Sequence, residues 1–269
     1  MTVIAVTGKG GTGKTLVSSL LIYFISRSGY KILGVDADPD SNLPDALGVE
    51  VKKTLGDVKE VFQVSRDKIG SMNKEQWLEG MIYSEAIYEF EGFDLLVMGR
   101  PEGEGCYCFV NALLRNILKR MVRHYDYVIV DSEAGLEIFS RKTIESADYV
   151  VVVTDTSKKG LETARRIKEL SNELKLKFKG MYLIGNRITS EEAEKKIRDF
   201  AISEGFDLLE ILPYDERVVD LDIRGEPVVN LSEDSEVYKR MMRVADHFLN
   251  IRILDGVIEW QKSLRLKSS

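Results

Sequence analysis

A chain of 269 residues, 44% hydrophobic and 30% charged, has the make-up of an ordinary globular protein with ample core. Its net charge of −6 argues against a general grip on nucleic acid, which needs a basic face. No run reaches the roughly 18 uninterrupted apolar residues of a membrane span, and the N-terminus reads as a core strand instead of a signal peptide, so a cytoplasmic location is expected.

The first element is Val3-Ile4-Ala5-Val6, a short apolar run that reads as a buried strand. It leads into Gly8-Lys9-Gly10-Gly11-Thr12-Gly13-Lys14-Thr15, and from Leu16 to Ile25 apolar residues recur at helical spacing. Strand, glycine-rich turn and helix in this order form the P-loop pattern. The glycines let the backbone curl so that successive N–H groups and a helix N-terminus converge on an anion. Gly8, Gly10, Gly11, Thr12, Gly13, Lys14, Thr15 and Leu16 are therefore the candidate phosphate-binding residues. Lys14 supplies a charge for the outer phosphates and Thr15 a hydroxyl for Mg²⁺. Lys9, directly after the first glycine, resembles the signature lysine of the deviant P-loop ATPases, the family of the partitioning and division-site ATPases, the arsenite-pump ATPase and the nitrogenase iron protein. The resemblance implies an ATP-held homodimer in which Lys9 reaches the phosphates of the partner's nucleotide, and it makes Lys9 and Lys14 catalytic.

Residues 31–35 read as a second buried strand, ending in Asp36-Ala37-Asp38-Pro39-Asp40-Ser41-Asn42. In a parallel sheet the carboxyl ends of the strands gather at one rim, where ligands sit. Two acids there suit a Mg²⁺-phosphate centre. The stretch is similar to switch I of the same ATPases, which implies that Asp38 orients the attacking water and that Asp36 helps with Mg²⁺. Residues 54–90 read as one or two short helices plus a turn or an extra strand, with no chemistry legible. Residues 93–98 form another strand, which runs into a loop carrying Cys106 and Cys108, and a helix is expected over 110–124.

These are the only two cysteines. One residue apart, they are poorly placed for a disulfide between themselves. Set before a helix N-terminus, which favours thiolate, they can supply two soft metal ligands. Structural zinc takes about four ligands, and a symmetric dimer would bring two pairs together. Gly-Arg-Pro at 99–101 followed by Gly-Cys-Tyr-Cys-x-x-Asn at 105–111 is similar to the CooC-type ATPases, nickel-insertion accessory proteins of carbon monoxide dehydrogenase. The resemblance implies a nickel or zinc ion shared across the dimer by Cys106 and Cys108, and a client metalloenzyme as partner.

Tyr127-Val128-Ile129-Val130-Asp131 is a buried strand ending in an acid, the Walker B arrangement that holds Mg²⁺, and Ser132-Glu133-Ala134-Gly135 after it is similar to switch II of that group. Ile138 departs from the group's histidine, and no cysteine occurs here, which weakens an iron-sulfur reading. Strands are expected over 148–154, 180–184 and 208–212, with helices over 159–174, 190–204 and 235–250. Asn186 with Arg187, and Pro213 with Tyr214, resemble the two base-flanking loops of these ATPases. The Asn-Lys-x-Asp motif of GTPases is absent, which favours ATP or ADP. Asp255 and Glu259 argue against membrane docking by the end of the chain.

The expected architecture is α/β: one P-loop NTPase domain over residues 1–250, a mostly parallel central sheet flanked by helices on both faces, and a C-terminal helical tail over 251–269. The expected function is an ATP-hydrolysing, dimerising metallochaperone that delivers nickel to carbon monoxide dehydrogenase. The alternatives are a positional switch acting on a protein, DNA or membrane partner, and an iron-sulfur reductase.

Overall fold

In the computed structural model, which describes residues 1–65, 74–100, 124–133 and 147–267, the chain is built around strand β1 (Thr2–Gly8). All seven of its residues are buried, as a continuous apolar run demands of a strand covered on both faces. Side chains alternate along it. Val3 and Ala5 join one core, and Ile4 and Val6 join the core on the opposite face.

Helix α1 (Lys14–Ser26) follows, then β2 (Ile32–Ala37), the short α2 (Leu43–Leu47), α3 (Leu55–Ser65) and α4 (Lys74–Glu85). A hairpin of β3 (Ile87–Phe90) and β4 (Phe93–Val97) precedes β5 (Tyr127–Ser132) and β6 (Tyr149–Thr154). The remainder is α5 (Lys158–Glu173), β7 (Gly180–Ile188), α6 (Glu191–Glu204), β8 (Asp207–Pro213), α7 (Glu216–Arg224) and α8 (Glu236–Lys267). The eight strands lie in the order β3-β4-β2-β5-β1-β6-β7-β8. Every neighbouring pair is parallel except the β3–β4 hairpin at the edge. The expected α/β architecture is thus observed, with the extra strand of residues 54–90 forming that antiparallel edge.

Chain order reverses direction across the sheet at β1, with β5 on one side and β6 on the other. A crevice opens beyond the carboxyl ends at such a point, which is where α/β sheets take ligands. One core packs α3 to α6 against the sheet and the other packs α1, α2 and the first half of α8.

Strand limits differ from the sequence reading by a few residues, the largest strand extension at one end being β7, which runs on to Ile188. The expected helix over 110–124 lies outside the described residues. Two helices were not foreseen, α2 and α7, both in stretches whose Asp, Asn and Pro content reads as turn. The helix expected over 235–250 runs on into the expected helical tail, the α8 backbone being helical from Glu236 to Lys267. No proline falls in this stretch, and the lone Gly256 costs a helix only about 1 kcal/mol. No described helix is long and apolar enough to cross a membrane.

Phe248 fixes α8 to the sheet. It is 0% exposed, its ring packs 5.7 Å from those of Tyr149 and Tyr182, and its carbonyl accepts a 3.2 Å hydrogen bond from Tyr127 Oη. Phe248→Ala is expected to lower the unfolding free energy by about 3–4 kcal/mol in urea denaturation. A loss under about 1 kcal/mol would mean that α8 is not docked as described.

Candidate functional site

At the end of β1 the backbone must turn in almost no space. Gly8 has φ 146°, and a Cβ on it would lie 2.1 Å from the Val153 carbonyl oxygen on β6. Five residues on, Gly13 caps α1 with φ 93°, where a Cβ would meet Asn186 Nδ2 at 2.2 Å. Between them Thr12 is buried, and its hydroxyl donates to the carbonyls of Lys9 (2.8 Å) and Val153 (3.1 Å). The loop is therefore held against β6 and leaves the first amides of α1 facing the crevice.

Lys14 opens the helix with its side chain folded back. It is only 7% exposed, and among the described residues its one hydrogen bond is a long 3.5 Å contact to the Lys9 carbonyl. Burial pulls its pKa below the ordinary lysine value, against the opposing pull of Asp131, Asp38 and Glu133. An ammonium so poorly partnered is arranged for an anion.

One turn further, Thr15 and Ser18 lie on the same helix face and both reach Asp131 at the end of β5. Thr15 Oγ1 donates to Asp131 Oδ2 at 2.7 Å and Ser18 Oγ to Oδ1 at 3.0 Å. Asp131 is 1% exposed, and burial raises its pKa to about 6 against the lowering effect of both hydroxyls and Lys14. Its register partner on β2 is Asp36, fully buried, with its carboxyl raised to about 8 by burial first and the Asp131 charge second. Asp36 Oδ1 accepts from Asp38 N (3.0 Å) and Oδ2 from Leu43 N (2.9 Å). Both its oxygens are thereby used to shape the turn after β2 and start α2. Asp38 is half-buried at that turn, and Asp40, just beyond it, is ion-paired with Arg100.

The predicted residues converge on one open cavity of about 1430 Å³. Its lining includes Gly10, Gly11, Gly13, Lys14, Thr15, Leu16, Asp38, Asn186, Arg187, Pro213 and Tyr214. Lys9 is half-buried and is not among the residues lining the cavity of its own chain. Asn186 is buried, with Nδ2 donating to the Thr12 carbonyl and Oδ1 accepting from Arg187 N, each at 2.8 Å. Cys106, Cys108 and Ile138 lie outside the described residues. Among the described residues, no cluster of three or more His, Cys, Asp or Glu has metal-holding geometry. Sequence reasoning missed Ser18 as a second hydroxyl on Asp131, although its position three residues after Thr15 places it on the same helix face.

Residues 3–228 match the family described as the CobQ/CobB/MinD/ParA nucleotide binding domain. An uncharacterised ATP-binding protein of Methanocaldococcus jannaschii is 47% identical over 251 residues, covering 92% of this chain and 98% of its own. The carbon monoxide dehydrogenase accessory protein CooC of Rhodospirillum rubrum is 32% identical over 242 residues, covering 85% and 90%. Among solved structures, the septum site-determining protein MinD of Pyrococcus horikoshii, complexed with Mg-ADP, superposes with a TM-score of 0.67 at 24% identity, covering 92% of this chain and 95% of its own.

The buried acid pair has a consequence measurable without ligand. Carboxyls whose folded pKa is raised bind protons more tightly in the native state, so stability is highest below the unfolded value near 4 and is lost as pH rises toward about 8 for Asp36. In EDTA, the melting temperature is expected to fall between pH 5 and 8, and to fall less steeply in Asp131→Asn, whose amide both hydroxyls can still bond. An identical slope in the two proteins would show that Asp131 ionises normally.

Proposed function

The chain belongs to the CobQ/CobB/MinD/ParA nucleotide-binding family, and on that premise we propose that it is an ATP-hydrolysing, dimerising metallochaperone serving a metalloenzyme. The observation that carries the ATPase half is the Thr15–Asp131 contact, 2.7 Å long, at the foot of a loop whose buried lysine makes, among the described residues, only a 3.5 Å hydrogen bond to the Lys9 carbonyl. The amides around Gly13 and the Lys14 ammonium would hold the phosphates. Thr15 and Asp131 fit Mg²⁺, since a hydroxyl and a carboxylate already aim at one point of the rim, and Asp36 supports them from the next strand. When bound, Mg²⁺ neutralises charge on the phosphates. The base would lie by Arg187, Pro213 and Tyr214.

Hydrolysis needs no covalent nucleophile in this site. Asp38 would accept a hydrogen bond from a water placed in line with the outer phosphorus. The new P–O bond forms as the bond to the bridging oxygen breaks, and Lys14 offsets the charge left on the departing ADP. Lys9, which does not line its own cavity, would cross to the partner's phosphates, making ATP the bond between two subunits.

The metal half rests on the 32%-identical accessory protein and on Cys106 with Cys108, which match the Cys-x-Cys of the CooC-type group. Two such pairs in a dimer would hold one nickel or zinc ion as cargo, with carbon monoxide dehydrogenase the client the resemblance implies. The switch I turn and the Cys-bearing segment leave adjacent strands, β2 and β4, so release of phosphate can be felt at the metal.

Three experiments divide these claims. Lys14→Ala is expected to cut Mg²⁺-dependent ATP hydrolysis by about 10²-fold or more, whereas Lys9→Gln should keep nucleotide binding and lose the ATP-dependent dimer in light scattering. A Lys9→Gln dimer of normal mass would refute the crossing lysine. Cys106→Ala with Cys108→Ala should abolish binding of about one Ni²⁺ or Zn²⁺ per dimer. Unchanged metal content would leave a positional ATPase switch as the reading.

A further inference from the structure

Asn186 has commitments that base recognition does not explain. Its side chain is 4% exposed, and both ends of its amide are engaged inside the protein. Nδ2 donates to the Thr12 carbonyl at 2.8 Å, a buried contact between residues 174 positions apart. Oδ1 accepts from Arg187 N at 2.8 Å, closing a turn in which Arg187 takes φ 59°, a left-handed conformation uncommon for a residue with a Cβ. The amide also fills the space beside Gly13, where a Cβ would come within 2.2 Å of it.

Thr12 is consequently pinned from two neighbouring strands. Its hydroxyl is bonded to Val153 on β6, and its carbonyl to Asn186 on β7. Thr12 sits two residues before Lys14, in the middle of the stretch whose amides face the crevice. Anion binding by backbone amides depends on their being oriented before the anion arrives, because ordering them afterwards is subtracted from affinity.

We propose that Asn186 is a positioning residue that braces the phosphate-binding loop, so that loss of its amide weakens binding of the triphosphate itself, alike for ATP and GTP. This rests on the nucleotide reading above. Removing the amide leaves the Thr12 carbonyl without its buried donor and releases the strained Arg187 turn at the same time. The loop amides then lose their common direction, and the phosphates lose affinity whether or not a base is attached.

A brace and a base reader lose different ligands. Full-length wild type and Asn186→Ala are titrated by calorimetry, with Mg²⁺ present, against inorganic tripolyphosphate and against non-hydrolysable analogues of ATP and GTP. The expected result for Asn186→Ala is about a tenfold loss for tripolyphosphate and for the ATP analogue alike, with the ATP-to-GTP preference unchanged. Amide hydrogen exchange over residues 10–15 should also quicken in the unliganded variant. Asn186→Asp keeps an acceptor for Arg187 N and removes the donor to Thr12, but its carboxylate would itself repel anions, so it is read by hydrogen exchange over residues 10–15 in the unliganded protein, which should quicken as in the alanine variant, and it serves where that variant folds poorly. Wild-type affinity for tripolyphosphate in Asn186→Ala, beside a weakened ATP analogue or a collapsed ATP-to-GTP preference, or unchanged exchange in Asn186→Asp, would overturn the brace and leave the nucleotide site standing. Wild-type protein that binds neither phosphate ligand would sink the nucleotide reading and the brace with it.

Discussion

Two carboxylic acids side by side in a sheet interior are the constraint around which this molecule is arranged. Asp36 and Asp131 end adjacent strands in register, both out of water. Burial raises both pKa values, to about 8 for Asp36, where the Asp131 charge adds to it, and to about 6 for Asp131, against the lowering effect of its two hydroxyl donors and Lys14. Such a pair persists only where hydrogen bonds compensate it. Asp131 takes two hydroxyls from α1, and Asp36 takes two backbone amides from the turn after β2. Those four contacts tie the first turn of α1, the end of β5 and the segment leading into α2 to one point of the rim. A change in charge there is therefore transmitted to three elements at once.

The glycine-rich loop answers a different demand, that of space. Gly8 passes under the Val153 carbonyl and Gly13 passes beside Asn186 with no room for a methyl group at either. The glycines bracketing the motif are thus fixed by contacts with β6 and β7, as well as by any ligand. This close approach places the amides of α1 over the crevice where the strand order turns back at β1.

Much of this was readable from the chain because it is local. Continuous apolar runs at β1, β5 and β6 announce strands buried on both faces, and Gly8 to Thr15 announces the turn by spacing alone. Acids at the ends of β2 and β5 are legible once the strands are parallel. What escaped was either short or distant. Helix α2 spans Leu43–Leu47 behind an Asp-Pro-Asp-Ser run whose turn chemistry outweighs it, although Pro44 in its first turn and Gly48 at φ 72° beyond its end are ordinary helix signals. Helix α7 is capped by Asp215, whose carboxylate accepts from Arg217 N, directly after Pro213 and Tyr214, which the sequence reads as a loop. The partners of Ser18 and Asn186 lie 113 and 174 residues away, and no local pattern encodes such pairings.

The charge of the site bears on the form in which a polyanion enters it. Eight acids line the cavity, Asp38, Asp40 and Glu133 among them, with Asp131 just beneath, and against them stand Lys14, Arg100 and Arg187. Arg100 is paired with Asp40, so less of its charge is open to a ligand. A bare triphosphate would meet more repulsion than attraction at a lining with eight acids and three cations, and the burial of Lys14 sharpens its share, since charges interact more strongly away from water. On the nucleotide reading, a divalent cation on the phosphates would reverse the sign of that encounter, since the carboxylates that repel the free anion would attract its metal complex, and a cation beside Asp131 would favour its ionised form. On that reading the acid-rich rim would favour the metal-complexed form, and loss of the cation would return Asp36, whose pKa burial raises to about 8, toward its protonated form, while Asp131 at about 6 stays mostly ionised at neutral pH. Ligand charge and the ionisation of the sheet interior would then be coupled.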